Sequence, residues 1–257
     1  MTSLEIHQFP CRSDNFGVLV HDPEAGLTAT IDAPEGAVIE RELEAKGWTL
    51  THIITTHKHF DHVEGHERLK AKYNAKVIAP EDEAADIPGV DETVKDGDTF
   101  QFGSNTVEVI ATPGHTLGQV NYYLPDAKVA FTGDTLFALG CGRVFEGTMT
   151  DMWGSMEKLK AKLAPDTAIY CGHEYTLANA KFAISVDPEN EALKKRVAEI
   201  EALRADDRPT LPTLMAVELE TNPFLRFDDP AIRAHLGMED ASGEAVFAEI
   251  RKRKDNF

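Results

Sequence analysis

Three histidines and an aspartate fall within six positions, His57-Lys58-His59-Phe60-Asp61-His62, directly after the apolar run Ile53-Ile54. In an extended stretch, residues two apart share a side, so His57 and His59 can face one cation. Asp61 and His62 follow a turn and can face another point. Taken singly, Asp61 could cap a helix starting near His62, and any one histidine could be a core residue. Four such side chains together point to a metal. Imidazole and carboxylate donors suit zinc, iron or manganese rather than calcium or magnesium.

Three more segments share that context. Val107–Ala111 leads into Thr112-Pro113-Gly114-His115, Val129–Thr132 into Gly133-Asp134, and Ala168–Cys171 into Gly172-His173. Each is an apolar strand, a glycine, then one ligand-type side chain. In layered α/β folds, sites gather where strands end, because loops there converge on one rim. Each of the three is a weak signal alone, and their repetition beside the first cluster strengthens all of them. Seven donors exceed the need of one tetrahedral ion. His57, His59 and His115 would hold one ion. Asp61, His62 and His173 would hold a second, with Asp134 bridging. Two ions about 3.5–4 Å apart can share a hydroxide and clamp a displacement.

The surrounding pattern is consistent with such a body. Further short Val-, Ile-, Thr- and aromatic-rich runs at Leu4–Phe9, Phe16–Val20, Leu27–Ile31, His52–Thr56, Lys76–Ala79 and Gln119–Leu124 read as strands. Helices are expected over 36–46, 62–73 and 151–163, the last capped by Thr150. After residue 172 strand-like runs give way to helical ones. Asp187-Pro188 reads as a helix start, Asp229-Pro230 opens a helix ending at Gly237, and Ser242 caps a last one. The expectation is a catalytic domain over 1–172 and a mostly helical one over 173–257.

Composition excludes several classes. Twenty-six Lys and Arg against 44 Asp and Glu give a net charge of −18, which repels phosphate backbones and makes nucleic acid a poor partner. No run of eighteen apolar residues suggests a membrane span. The start, MTSLEIHQFP, does not read as a secretory signal. Three cysteines, Cys11, Cys141 and Cys171, without a CxxC, argue against a disulfide framework and for a reducing, cytoplasmic setting.

The motif His57-x-His59-x-Asp61-His62, with His115, Asp134 and His173 downstream, resembles the metallo-β-lactamase superfamily. That resemblance implies an αββα sandwich with a two-metal site at the sheet edge. Gly133-Asp134-Thr135-Leu136-Phe137, Gly140-Cys141-Gly142-Arg143, Phe145-Glu146-Gly147-Thr148, Cys171-Gly172-His173-Glu174-Tyr175-Thr176, Asn222-Pro223-Phe224-Leu225-Arg226 and the ending from Arg251 to Phe257 are similar to the glyoxalase II family. What this implies is a thioester hydrolase, monomeric or weakly oligomeric. It would cleave S-D-lactoylglutathione and other 2-hydroxyacylglutathiones to the hydroxy acid and glutathione, the second step of methylglyoxal detoxification. Two divalent ions, zinc first, with iron or manganese as alternatives, would be its cofactors. A bridging hydroxide would attack the thioester carbonyl, one ion would stabilise the oxyanion, and Asp61 would ligate and orient the hydroxide. A thiolate leaves readily, so a strong general acid is less needed.

Glutathione carries two carboxylates, and Arg251, Lys252, Arg253 and Lys254 form a basic run that could receive them. Basic residues also simply favour helix C-termini. The resemblance assigns glutathione contacts to Arg251, Lys254, Tyr175 and Arg143, the last at a position where the family often has lysine. Phe145 departs from it, replacing a tyrosine whose hydroxyl would contact the substrate. Among the other histidines, His66 reads as helix surface or support for the site, and His52 as structural. His7, His21 and His235 have no companions. Cys171 reads as a core residue, and Asp32 as support behind the ligands. The rival function is a single-iron glutathione persulfide dioxygenase, against which the complete second donor set and the helical domain speak. Other rivals are another hydrolase of the superfamily, such as a lactonase, β-lactamase or nuclease, and a non-enzymatic metal-binding protein. The acidic surface argues against a nuclease, the absent signal against a periplasmic β-lactamase, and the full donor set against an inactive relative.

Overall fold

A computed structural model describes residues 4–257. One six-stranded sheet runs in sequence order through β1 (Glu5–Cys11), β2 (Asn15–Asp22), β3 (Leu27–Ile31), β4 (His52–Ile54), β5 (Lys76–Pro80) and β6 (Glu92–Val94). The next strands are β7 (Thr99–Phe102), β8 (Asn105–Ala111), β9 (Val120–Leu124) and β10 (Val129–Gly133). The pair β11 (Leu136–Phe137) and β12 (Gly140–Cys141) forms a small ribbon, and β13 (Ala168–Cys171) and β14 (Thr213–Leu214) complete the set. The second large sheet has the order β14-β13-β10-β9-β8-β7.

The period-2 alternation of strands builds the layers. Ile54 and Ile78 face inward onto Val109, Tyr122 and Phe131 of the second sheet. Their neighbours Ile53 and Val77 face outward onto Ile39, Leu43 and Leu69 of the helices α1 (Gly36–Lys46) and α3 (His66–Tyr73). On the other outer face, Ile110, Ala130 and Ile169 pack under Met152, Met156 and Leu159 of α4 (Met149–Lys162). The result is the αββα sandwich that the sequence resemblance implies. After β13 come α5 (Thr176–Val186), α6 (Glu191–Ala205), α7 (Met215–Thr221), α8 (Pro230–Leu236) and α9 (Gly243–Asp255). Phe182, Phe224, Phe227 and Phe247 join the α4 core, so these helices share one hydrophobic interior with the second sheet.

Several boundaries differ from the sequence expectation. The strand at His52 ends at Ile54 because Thr56 turns away, donating its N–H to Asp32 Oδ1 at 2.7 Å. The helix expected over 62–73 is two: α2 (Phe60–Val63) stops before α3 because Gly65 gives its N–H to Ala33 O at 2.9 Å instead of continuing the ladder. The cap of α4 is Thr148, in a reciprocal capping box with Asp151, rather than Thr150. Asp187 ends α5, which the sequence reading passed over, and Asn190 caps α6. The short strands β6, β7, β11, β12 and β14 carried no readable period.

Candidate metal centre

Four strand ends deliver the seven candidate ligands to one place: β4 leads to His57, β8 to His115, β10 to Asp134 and β13 to His173. His57 Nε2 lies 3.1 Å from His59 Nδ1, which lies 3.0 Å from His115 Nε2. These three nitrogens form one donor group, and Asp61, His62 and His173 form another. Asp134 reaches both. Its Oδ2 is 3.4 Å from His115 Nε2 and 3.3 Å from His173 Nε2, and its Oδ1 is 3.4 Å from His62 Nε2. A third grouping of Asp32, His57 and His62 also meets the distance condition. Asp32 is already committed, however: it accepts from Thr56 N and Thr56 Oγ1 (2.8 Å) and pairs with His62 Nδ1 (2.8 Å). These bonds place it to orient His62 from behind.

The donor set fits two divalent ions. His62 Nε2 and Asp134 Oδ1 are buried and hydrogen-bonded to nothing, although buried polar atoms are normally satisfied. The two atoms face each other at 3.4 Å. Gly172 leaves room for both side chains, since a Cβ there would lie 2.5 Å from Asp134 Oδ1 and 2.8 Å from His62 Cε1. Burial drives His57 well below and His115 below the ordinary imidazole range, toward the neutral form that ligates. Burial also pushes His62 and His173 down, but Asp134 together with Asp32 at His62, and with Asp14 at His173, raises both. Asp134 is held well below the carboxylate range against its burial by His62 and His173. A cation held by these groups would take over the charge balance that protons otherwise supply.

The five expected substrate contacts, Arg143, Phe145, Tyr175, Arg251 and Lys254, line one open cleft of about 450 Å³ together with His59, Asp61, His115, Asp134 and His173. Tyr175 stacks parallel on His173 with centroids 4.6 Å apart. Phe145 is exposed and tilts against His115 at 5.3 Å. Arg251 is buried, donating Nη1 to Cys141 O at 2.8 Å and Nε and Nη2 to Asp255 Oδ1. Lys254 gives Nζ to Ala178 O at 3.2 Å, and burial and then Arg251 lower its pKa. The basic run divides by helical period. Arg251 and Lys254 share the cleft face, whereas Lys252 and Arg253 are exposed away from it, Arg253 pairing with Glu249.

Some residues stand elsewhere than expected. Of the two places expected for His66, the helix surface is excluded: it is fully buried between Thr55 Oγ1 and Pro88 O, each at 3.2 Å. His7 pairs with Glu42, His21 with Thr28 and the Trp48 ring, and His235 with Ser185 O, and none of the three belongs to a donor group among the described residues. His52 is structural, edge-on to Phe102, and Cys171 lies in the core. Sequence reasoning missed Asp14, Asn15 and Asp255. Asp14 and Asn15 look like ordinary turn residues, and Asp255 is masked by the surrounding charge run.

Comparisons with known proteins cover the whole chain. Residues 24–173 match the model of the metallo-beta-lactamase superfamily. Residues 174–257 match that of the hydroxyacylglutathione hydrolase C-terminus. A hydroxyacylglutathione hydrolase of Brucella anthropi is 65% identical over 99% of this chain and 97% of its own length. One of Brucella ovis is 65% identical over 99% and 98%. The crystal structure of ETHE1 from Myxococcus xanthus superposes with a TM-score of 0.68 at 24% identity, covering 96% of this chain and 90% of that one, a likeness of fold.

Proposed function

We infer the reaction from one premise: the chain belongs to the hydroxyacylglutathione hydrolase family of the metallo-β-lactamase superfamily. It is a thioester hydrolase that cleaves S-D-lactoylglutathione and related 2-hydroxyacylglutathiones to the hydroxy acid and glutathione. The observation that carries this reading is the cleft in which the two donor groups meet three cationic side chains and a tyrosine. We assign 1–172 as the catalytic domain and 173–257 as the substrate-binding domain; the latter contributes His173 to the centre. The match of residues 174–257 to the hydroxyacylglutathione hydrolase C-terminus favours this reading over a persulfide dioxygenase. Three free, buried cysteines fit a cytoplasmic setting, and no helix among the described residues is long and apolar enough to cross a membrane.

His57, His59 and His115 would hold one ion, Asp61, His62 and His173 the second, and Asp134 both. Zinc is our first assignment, and iron and manganese suit the same donors. When bound, the ions supply a nucleophile from water at neutral pH and polarise the thioester carbonyl. The protein supplies position. Asp61, on the cleft wall, holds a proton of the attacking water so that its lone pair faces the carbonyl carbon. Arg143, Arg251 and Lys254 draw the glutathione carboxylates to the far side of the cleft. Tyr175 has its ring fixed by stacking on His173 and presents its hydroxyl to the glutathione backbone. The departing thiolate is stable enough to leave without a dedicated acid.

The test is thioester loss from S-D-lactoylglutathione on protein whose metal is counted in the same sample. Turnover with about two ions per chain is expected. No turnover, one iron per chain and oxygen uptake on glutathione persulfide would establish the dioxygenase instead. Asp61→Asn should abolish most turnover; survival of full activity at unchanged metal content would remove Asp61 from the mechanism.

A further inference from the structure

Asp61 is the least confined member of its donor group. Its side chain is 35% exposed, against 2% for His62 and 4% for His173. It sits on the four-residue helix α2, too short to fix a carboxylate by itself. What holds it comes from 46 residues away, at the start of β2. Asn15 is buried and donates Nδ2 to Asp61 Oδ2 at 3.0 Å and to Asp61 O at 3.2 Å. One amide thereby ties the carboxylate to its own backbone and fixes its torsions.

The same turn grips the third donor. Asn15 bridges to His173 by backbone pairing. Phe16 N donates to Gly172 O at 2.8 Å, and Glu174 N to Asp14 O at 2.9 Å. Asp14 Oδ1 lies 3.1 Å from His173 Nδ1, which leaves Nε2 facing the centre. The other donor group is oriented by different chemistry. His57 Nδ1 meets Thr56 Oγ1 at 3.0 Å, and His115 Nδ1 meets Arg143 O at 2.8 Å. The side-chain hydrogen bonds of His57, His59 and His115 run to Thr56, to one another and to Arg143 O rather than to the β1–β2 turn.

We propose that Asn15 is a positioning residue for Asp61, and that with Asp14 it makes the β1–β2 turn the selective organiser of the Asp61–His62–His173 metal position. The proposal rests on the two-ion reading above. Thr56 (on the second group through Asp32) and Asp134 touch both groups, but among the candidate ligands the contacts of Asn15 and Asp14 run to Asp61 and His173 alone, so a change in the turn weakens that position selectively.

The experiment is calorimetric titration of zinc into metal-free protein, wild type and Asn15→Asp, with kcat and KM measured on the loaded forms. Asn15→Asp keeps the shape of the side chain but replaces two donors with an acceptor facing a carboxylate. One of the two zinc affinities should fall about 10–100-fold while the other stays unchanged. The value of kcat should fall, with KM for the thioester within about twofold. Asn15→Ser, which keeps a single donor, should restore part of the lost affinity. Asp14→Asn, half-exposed and of the same shape, should weaken the same position. Two zinc sites of wild-type affinity in Asn15→Asp, or equal weakening of both, would overturn the proposal while leaving the two-ion reading intact. A wild-type chain that binds a single zinc would overturn that reading. If Asn15→Asp does not fold, Asn15→Ser and Asp14→Asn carry the same comparison, and unchanged zinc affinities in both overturn the proposal.

Discussion

Asp32 shows how one side chain sets the chemistry of another. It occupies left-handed backbone at φ 56°, which aspartate tolerates better than most residues. Oδ1 takes the Thr56 N–H, and Oδ2 takes the Thr56 hydroxyl and faces His62 Nδ1. With a cation bound, this contact would keep the His62 proton on Nδ1 and free the lone pair of Nε2 to ligate. In Asp32→Asn the backbone donor at Thr56 forces the amide nitrogen into the Oδ2 place. His62 Nδ1 must then accept, and its proton moves to the nitrogen that should ligate. Zinc affinity at that position should drop about 10–100-fold by calorimetric titration, with little change in the far-ultraviolet circular dichroism. Phe145 makes a second prediction at this scale. It lies exposed on the cleft rim with no hydroxyl to offer. Phe145→Tyr should lower KM for lactoylglutathione by the worth of one hydrogen bond, about 0.5–1.5 kcal/mol. An unchanged or higher KM in steady-state assays would show that the ring alone serves there.

At the scale of elements, the break between α2 and α3 places two of the candidate ligands, Asp61 and His62. Gly65 sits where the start of α1 crosses, and a Cβ on it would lie 2.8 Å from Gly36 Cα and from Gly36 N. Because the obstacle is backbone, an added methyl must push the helices apart. Gly65→Ala should cost about 1–3 kcal/mol, read as a lower urea midpoint, and should also loosen His62, three residues upstream. The start of α4 depends on local bonds instead. Thr148 Oγ1 accepts from Asp151 N at 3.2 Å, and Asp151 Oδ2 accepts from Thr148 N at 2.8 Å. Thr148→Ala should cost about 1 kcal/mol in the same measurement, without touching the metal centre.

Across the whole molecule, the C-terminal helices are joined to the sandwich by a buried acid. Glu218 of α7 accepts from Leu139 N (2.8 Å), Asn222 Nδ2 (3.0 Å) and Thr213 Oγ1 (2.7 Å). Asn222 in turn donates to Phe137 O and Gly140 O of the β11–β12 ribbon that borders the cleft. Burial raises the Glu218 pKa despite these donors. An acid whose folded pKa lies above its unfolded value stabilises the fold fully below the unfolded value, about 4.3. That contribution is lost as pH rises through the folded one. Glu218→Gln can keep all three bonds, with Oε1 accepting from Leu139 and Asn222 and Nε2 donating to Thr213. Its melting temperature should therefore decline less than that of the wild type as pH rises from about 4 toward neutrality. Parallel curves would show that Glu218 ionises without cost.

The candidate donors were legible one by one, because a strand followed by glycine and a ligand-type residue is a local pattern. The layered class was legible for the same reason: runs such as Ile53-Ile54 and Lys76–Ala79 announce themselves within a few residues. The helix starts at Asp229 and Ser242 were readable because an N-cap is a local bond. Tertiary structure decided what no local pattern encodes. It split one expected helix at Gly65 through a bond to Ala33, 32 positions away. It turned Arg251 and Lys254 to the cleft and Lys252 and Arg253 away from it. It also supplied the side chains behind the ligands, Asp14 for His173, Asn15 for Asp61 and Asp32 for His62, from the first 32 residues. Backbone pattern determines which side chains can serve; the direction each one faces depends on partners that only folding brings near.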